Sequence, residues 1–204
     1  MFKIVKVLIW IAIVIFVSLG VVASINQMPP DPNSYNPGFV KHPIMTWLHA
    51  IPGLLFMVLG PFQFIPSIRR KYPLYHKISG RIILVSCLLL GISALMIVFT
   101  FPYTRINENL SDLSEQIPNT FFALLFLIFA FLGYYYIRKK NITKHRKYMI
   151  RVFAIGLGIS LFRIIIIVTA IMGMNPLLYF GVFFWLGFSI TWACAEVYIK
   201  VRRV

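Results

Sequence analysis

Residues 138–163 read RKKNITKHRKYMIRVFAIGLGISLFR. Seven Lys or Arg side chains fall by Arg151, an apolar run follows, and one more arginine, Arg163, stands inside that run. A cluster of cations at a membrane surface is common. A lone cation at hydrocarbon depth is not, and it marks a functional-site hypothesis. The stretch therefore reads as a basic loop feeding a membrane helix that carries a polar group within.

The rest of the chain agrees. Of its 204 residues 60% are hydrophobic and only 12% charged. Several uninterrupted apolar runs reach the roughly 20 residues that cross a bilayer core, which excludes a water-soluble domain. The expected fold is all-α, a polytopic membrane protein with six transmembrane helices in a single bundle domain over 1–204. The helices are predicted at about 4–25, 45–66, 82–101, 120–137, 148–172 and 177–199.

The net charge of +15 would suit nucleic acid, but its distribution does not. Lys3, Lys6, Arg69, Arg70, Lys71, Lys77, Arg81, the seven of 138–151, Lys200, Arg202 and Arg203 all fall on one side of the predicted membrane. Lys41 and Arg105 fall on the other. This asymmetry is the positive-inside pattern. It places both termini in the cytoplasm and predicts a multi-pass protein of the cell (plasma) membrane, bacterial in composition. It also predicts contact with anionic lipid headgroups on the cytoplasmic face. A signal peptide is the competing reading of the first helix, with Val22-Ala23-Ser24 before the cleavage point. The apolar run exceeds the about 7–15 residues of a usual signal core. Residues 26–44, rich in Pro and Asn, read as an outer loop, with His42 solvated or interfacial. Cys87 and Cys194 lack the spacing of a zinc or disulfide framework and read as packing residues.

Candidate sites come from polar residues on helical stripes. On the second helix His49, Gly53, Phe56, Gly60 and Gln63 share one face, four of the five small or polar. On the fifth, Gly156, Ser160, Arg163, Ile167 and Ala170 align; on the sixth, Trp185, Ser189, Trp192 and Glu196. Such faces turn towards other helices in a membrane. Arg163 is about 14 Å from the outer end of its helix at 1.5 Å per residue. It requires carbonyls, water, an acid from the 108–115 loop or an anionic ligand, or else it snorkels. Glu196 lies near the inner end, within reach of Arg81, Arg151 or Lys200. His49, Gln63, Arg163, Trp192 and Glu196 are thus the ligand-binding candidates, and His76, Arg81, His145, Arg146 and Arg151 those of the inner interface. Imidazole takes haem iron or a transition metal and carries protons near neutral pH, so His49, His76 and His145 are ligand candidates if haem is present. No paired carboxylates, phosphate loop or nucleophile–base pattern occurs, so no catalytic residue is assigned and an enzyme is not expected.

Several of these residues carry a resemblance. Gly60-Pro61-Phe62-Gln63-Phe64, Ile68-Arg69-Arg70-Lys71-Tyr72-Pro73, His76-Lys77, Gly80-Arg81, His145-Arg146-Lys147-Tyr148-Met149-Ile150-Arg151 and Arg163 resemble the bacterial domain-of-unknown-function 2306 family of multi-pass membrane proteins. Lys77 and Lys147 stand where that pattern more often has arginine. The resemblance runs from about His49 to Glu196 and implies a membrane location. The His-Arg-x-x-Met segment at 145–149 is also similar to a smaller family linked to assembly of haem–copper oxidases. The expected function is binding of a ligand or partner through a polar seam around Arg163, in service of a respiratory or haem-containing membrane complex. Two alternatives stand beside it: a haem-binding electron-transfer protein and a small transporter.

Overall fold

The computed structural model describes residues 2–26, 42–100 and 111–202. Most of the expected 26–44 loop lies outside the described residues, as do Asp31, Lys41, Arg105, Glu108 and Arg203. The described residues form helices without a strand: α1 (Phe2–Asn26), α2 (Pro43–Gln63), α3 (Pro66–Lys71), α4 (Pro73–Thr100), α5 (Ser111–Arg138), α6 (Ile142–Ile171) and α7 (Phe180–Val201). A short 3-10 turn over Pro176–Tyr179 leads into α7. Six of these helices are long and apolar enough to cross a membrane; only α3 is not.

Helix boundaries reach further than hydropathy suggests. The inner loop expected over 67–81 is helical: α3 and the first turns of α4 each start on a proline. Proline is suited to a first turn because its missing N–H has no partner there in any case. The Arg69-Arg70-Lys71 run closes α3, where cations oppose the negative helix end. At the opposite end α5 starts at Ser111 rather than near 120, so Glu115 is a buried helical residue and not a loop acid. Pro118, inside α5, cannot give an N–H to the Ser114 carbonyl four residues back. That carbonyl abuts Gly181 of α7 instead, at a place where any side chain would collide with it.

The bundle packs α6 against α5 and α7, α2 against α4, and α4 against α5; α1 lies at the edge on α2 and α6. Phe56, Phe122, Phe126, Phe153, Phe162, Phe184 and Phe188 form much of the core. Two rings interlock with two glycines. Phe153 of α6 fills the notch at Gly60 of α2, and Phe56 of α2 fills the notch at Gly156 of α6. Small residues thus admit partner rings, as membrane helix interfaces favour. The outward faces stay apolar, with Val14, Phe131 and Val182 each more than half exposed, as a lipid-facing surface requires.

Candidate functional site

Four of the five ligand-binding candidates divide between two levels of the bundle. His49 and Arg163 share the level nearer the α1–α2 and α4–α5 connections. His49 lies six residues into α2 and Arg163 eight before the end of α6. Their side chains are within charge–charge range of each other. His49 Nδ1 is 3.0 Å from Ser93 Oγ of α4. The Ser93 hydroxyl also donates to Leu90 O at 3.1 Å. With the hydroxyl proton used there, Nδ1–H is the donor to Ser93 and Nε2 keeps a free lone pair. Among the described residues Arg163 makes no hydrogen bond and no ion pair. It is partly buried, not turned out among the exposed residues Ile167, Val168 and Ala170 that follow it on α6.

Above Arg163 the α6 stripe therefore leaves the bundle, while below it the stripe is internal. Ser160, one turn away, is fully buried and donates to Phe16 O of α1 at 2.7 Å. That bond joins two helices 144 residues apart.

The other level is a closed ion-pair cluster. Arg151 of α6 grips Glu196 of α7 in a bidentate pair, Nε to Oε1 at 2.5 Å and Nη2 to Oε2 at 2.8 Å. Trp192 Nε1 adds a third donor to Oε1 at 2.9 Å. The guanidinium sits over the Phe129 and Tyr148 rings, at 5.7 and 5.2 Å from their centroids. Arg151 is thus the partner that Glu196 takes; Arg81 and Lys200 are exposed. With its charge matched by a bidentate carboxylate, this cluster reads as a lock between α6 and α7. Gln63 is separate again, donating to Ser79 Oγ at 2.7 Å, and Ser79 donates to Tyr75 O at 2.6 Å.

The α7 stripe is shifted from its expected face. Trp185 is exposed, and the packing face runs through Gly181, Phe184, Phe188, Thr191, Ala195 and Ile199. Trp192 and Glu196 border that face, drawn in by Arg151.

At the basic end His145 Nδ1 is 2.7 Å from Gly133 O of α5. A carbonyl only accepts, so Nδ1 carries the proton and Nε2 the lone pair. His76 of α4 is within charge–charge range of His145. Arg81 and Arg146 are exposed at this end and join no shared site. Cys87 is a buried core residue and Cys194 is exposed on α7. Among the described residues no three His, Cys, Asp or Glu side chains converge to hold a metal ion.

Sequence reading missed the groups that orient these side chains. Ser93 was visible as a polar residue on an apolar helix, but its partner was not. The Gly133 carbonyl and the Phe129 ring carry no sequence signal, because a backbone oxygen and an apolar ring become functional only by position.

No curated protein and no solved structure matches the chain. The family model described as "Predicted membrane protein (DUF2306)" matches residues 46–199. That span takes in His49, His76, His145, Arg151, Arg163 and Glu196, and the chain, an integral membrane protein, belongs to the DUF2306 family.

Proposed function

We propose that this protein binds an anionic ligand within the membrane through Arg163, with His49 as the second recognition group. The observation that carries the reading is the guanidinium on a spanning helix with no hydrogen bond or ion pair among the described residues. An arginine keeps its charge, and a charge at this depth is costly without a counter-ion. An anionic oxygen on Arg163 supplies one. The Nε2 lone pair of His49 then accepts from a hydroxyl or N–H on the same ligand. The ligand class is an amphiphile with an acidic head and an adjacent donor, arriving from the bilayer or from the nearer aqueous face. The basic end faces the cytoplasm of a bacterial cell, where its cations contact anionic headgroups.

The test is mass spectrometry of what stays bound to the full chain extracted in mild detergent. Wild type retains an acidic species; Arg163→Gln loses it, and His49→Ala weakens its retention. Charge-assisted hydrogen bonds contribute about 1.5–3 kcal/mol each, so loss of Arg163 weakens binding about 10- to 100-fold. Equal retention by wild type and Arg163→Gln removes the reading.

A further inference from the structure

Two glycine notches fix the register between α2 and α6. Phe56 of α2 meets Gly156 of α6, and Phe153 of α6 meets Gly60 of α2. Numbers rise along one helix as they fall along the other, so the pair is antiparallel. One turn further from the basic end, that register sets Gly53 opposite Ser160. The next turn sets His49 opposite Arg163. α1 closes the first of these two pairs. Ser160 donates to Phe16 O of α1 at 2.7 Å, and a Cβ on Gly53 would lie 3.5 Å from Ser24 Oγ of α1. Towards the basic end the seam is filled by rings. Phe153 lies 5.8 Å from Phe56 and 5.1 Å from Phe64 between centroids. An anionic head passing there would lose its water against hydrocarbon, at high cost.

Beyond the His49–Arg163 pair the cover ends. Ile167, Val168, Ala170 and Ile171 of α6 are exposed apolar residues of a spanning helix, and His49 and Arg163 keep partial exposure. Such a face meets lipid tails. Nearby hydroxyls are engaged by their own helices: Ser24 donates to Gly20 O at 2.9 Å and Thr169 to Ile165 O at 2.6 Å. That leaves one guanidinium charge and the His49 Nε2 acceptor. A second negative charge on a ligand would meet no further cation there among the described residues, and an unmatched charge at this depth is costly. From the closed floor and open flank we infer that the Arg163–His49 site is a dead-end recess, entered sideways from the leaflet opposite the basic end by a singly charged anionic lipid. By the positive-inside pattern that is the outer leaflet. The charge of the occupant rests on the anion-binding reading; the side of entry rests on the helix register. A transport path towards the basic end would have to lift Phe56 and Phe153 out of their notches.

The experiment uses the full-length chain with Cys87→Ala and Cys194→Ala in phosphatidylcholine vesicles, sorted into one orientation through Lys139→Cys. The probe is a lysophosphatidylglycerol with a diazirine near the head end of its chain, added outside or enclosed inside. After illumination, mass spectrometry of peptides locates the adducts. With the probe in the leaflet opposite the basic end, adducts concentrate on α6 beyond Arg163 and on the last turns of α1, above the level on other outward faces. None falls on the basic side of Ser160. The same probe in the other leaflet leaves these positions unlabelled. Arg163→Gln cuts their labelling at least about tenfold. Arg163→Lys, which keeps the charge, restores much of it, a rescue that a folding defect would not show. Glycerophosphoglycerol, the same head without a chain, does not displace the probe. Adducts on the basic side of Ser160, equal labelling from both leaflets, displacement by the free head, or no enrichment from either leaflet would each overturn the inference. If a neutral lysophosphatidylcholine analogue labels the same positions equally, from the same leaflet alone, the anion-binding reading falls and the route of entry stands.

Discussion

At the scale of single residues, the chain holds two arginines of opposite character on one helix. Arg151 has a carboxylate, an indole donor on that carboxylate, and two aromatic rings. Arg163 has none of these among the described residues. Removing a partner from Arg151 should therefore weaken the fold, and removing Arg163 should not. Glu196→Gln abolishes the ion pair; the pair is partly exposed, with 20% and 41% of its side-chain surface accessible, so the loss is about 1 kcal/mol, not the larger figure of a desiccated pair. The check is the thermal unfolding midpoint in detergent, which should fall. Arg163→Leu should hold or raise that midpoint, since a central arginine costs about 2.5–3.5 kcal/mol on insertion scales, while the retained acidic ligand disappears. A lower midpoint for Arg163→Leu would mean that the guanidinium is a structural tie.

At the scale of elements, glycine positions set how closely helices meet. A Cβ at Gly187 of α7 would lie 2.8 Å from Phe162 N and 3.0 Å from Gly158 O, both backbone atoms of α6. Backbone cannot swing aside, so Gly187→Ala should separate α6 and α7 and cost at the upper end of the about 1–3 kcal/mol of overpacking. A Cβ at Gly80 would meet only Gln63 Oε1 at 3.3 Å, the end of a flexible side chain. Gly80→Ala should be nearly neutral in the same unfolding assay. The α1–α6 junction is tied by Ser160 to Phe16 O. Ser160→Ala should cost only about 0.6 kcal/mol, the mean for interhelical hydrogen bonds in membranes. Its effect should appear as faster amide exchange or proteolysis confined to α1, because the other helices keep their packing.

At the scale of the whole molecule, six apolar spans with most of the chain's cations at one end predict an orientation. With Cys87 and Cys194 replaced by Ala, a cysteine introduced at Lys139 should resist an impermeant thiol reagent in intact cells. One introduced at Met174, in the turn before α7, should react. The reverse pattern would invert the bundle and place the His76–His145 end outside the cytoplasm.

Helix number and the polar stripe of α2 were legible in the sequence, because the bilayer demands about 20 apolar residues per span and small or polar residues tend to face inwards; the α6 stripe turned outward beyond Arg163 and the α7 stripe shifted, because packing with neighbouring helices set their faces. His49, Gly60 and Gly156 follow from that rule alone. The expected seam joining Arg163 to Glu196 is not one place. Only the tertiary structure decided that Arg151 would take Glu196, that Ser93 would take His49, and that the Gly133 carbonyl would fix the His145 proton. The physical reason is range. Hydropathy is a local sum along the chain, whereas a hydrogen bond is a choice among all groups within about 3 Å in space. Here that choice was made by helices meeting from distant parts of the sequence.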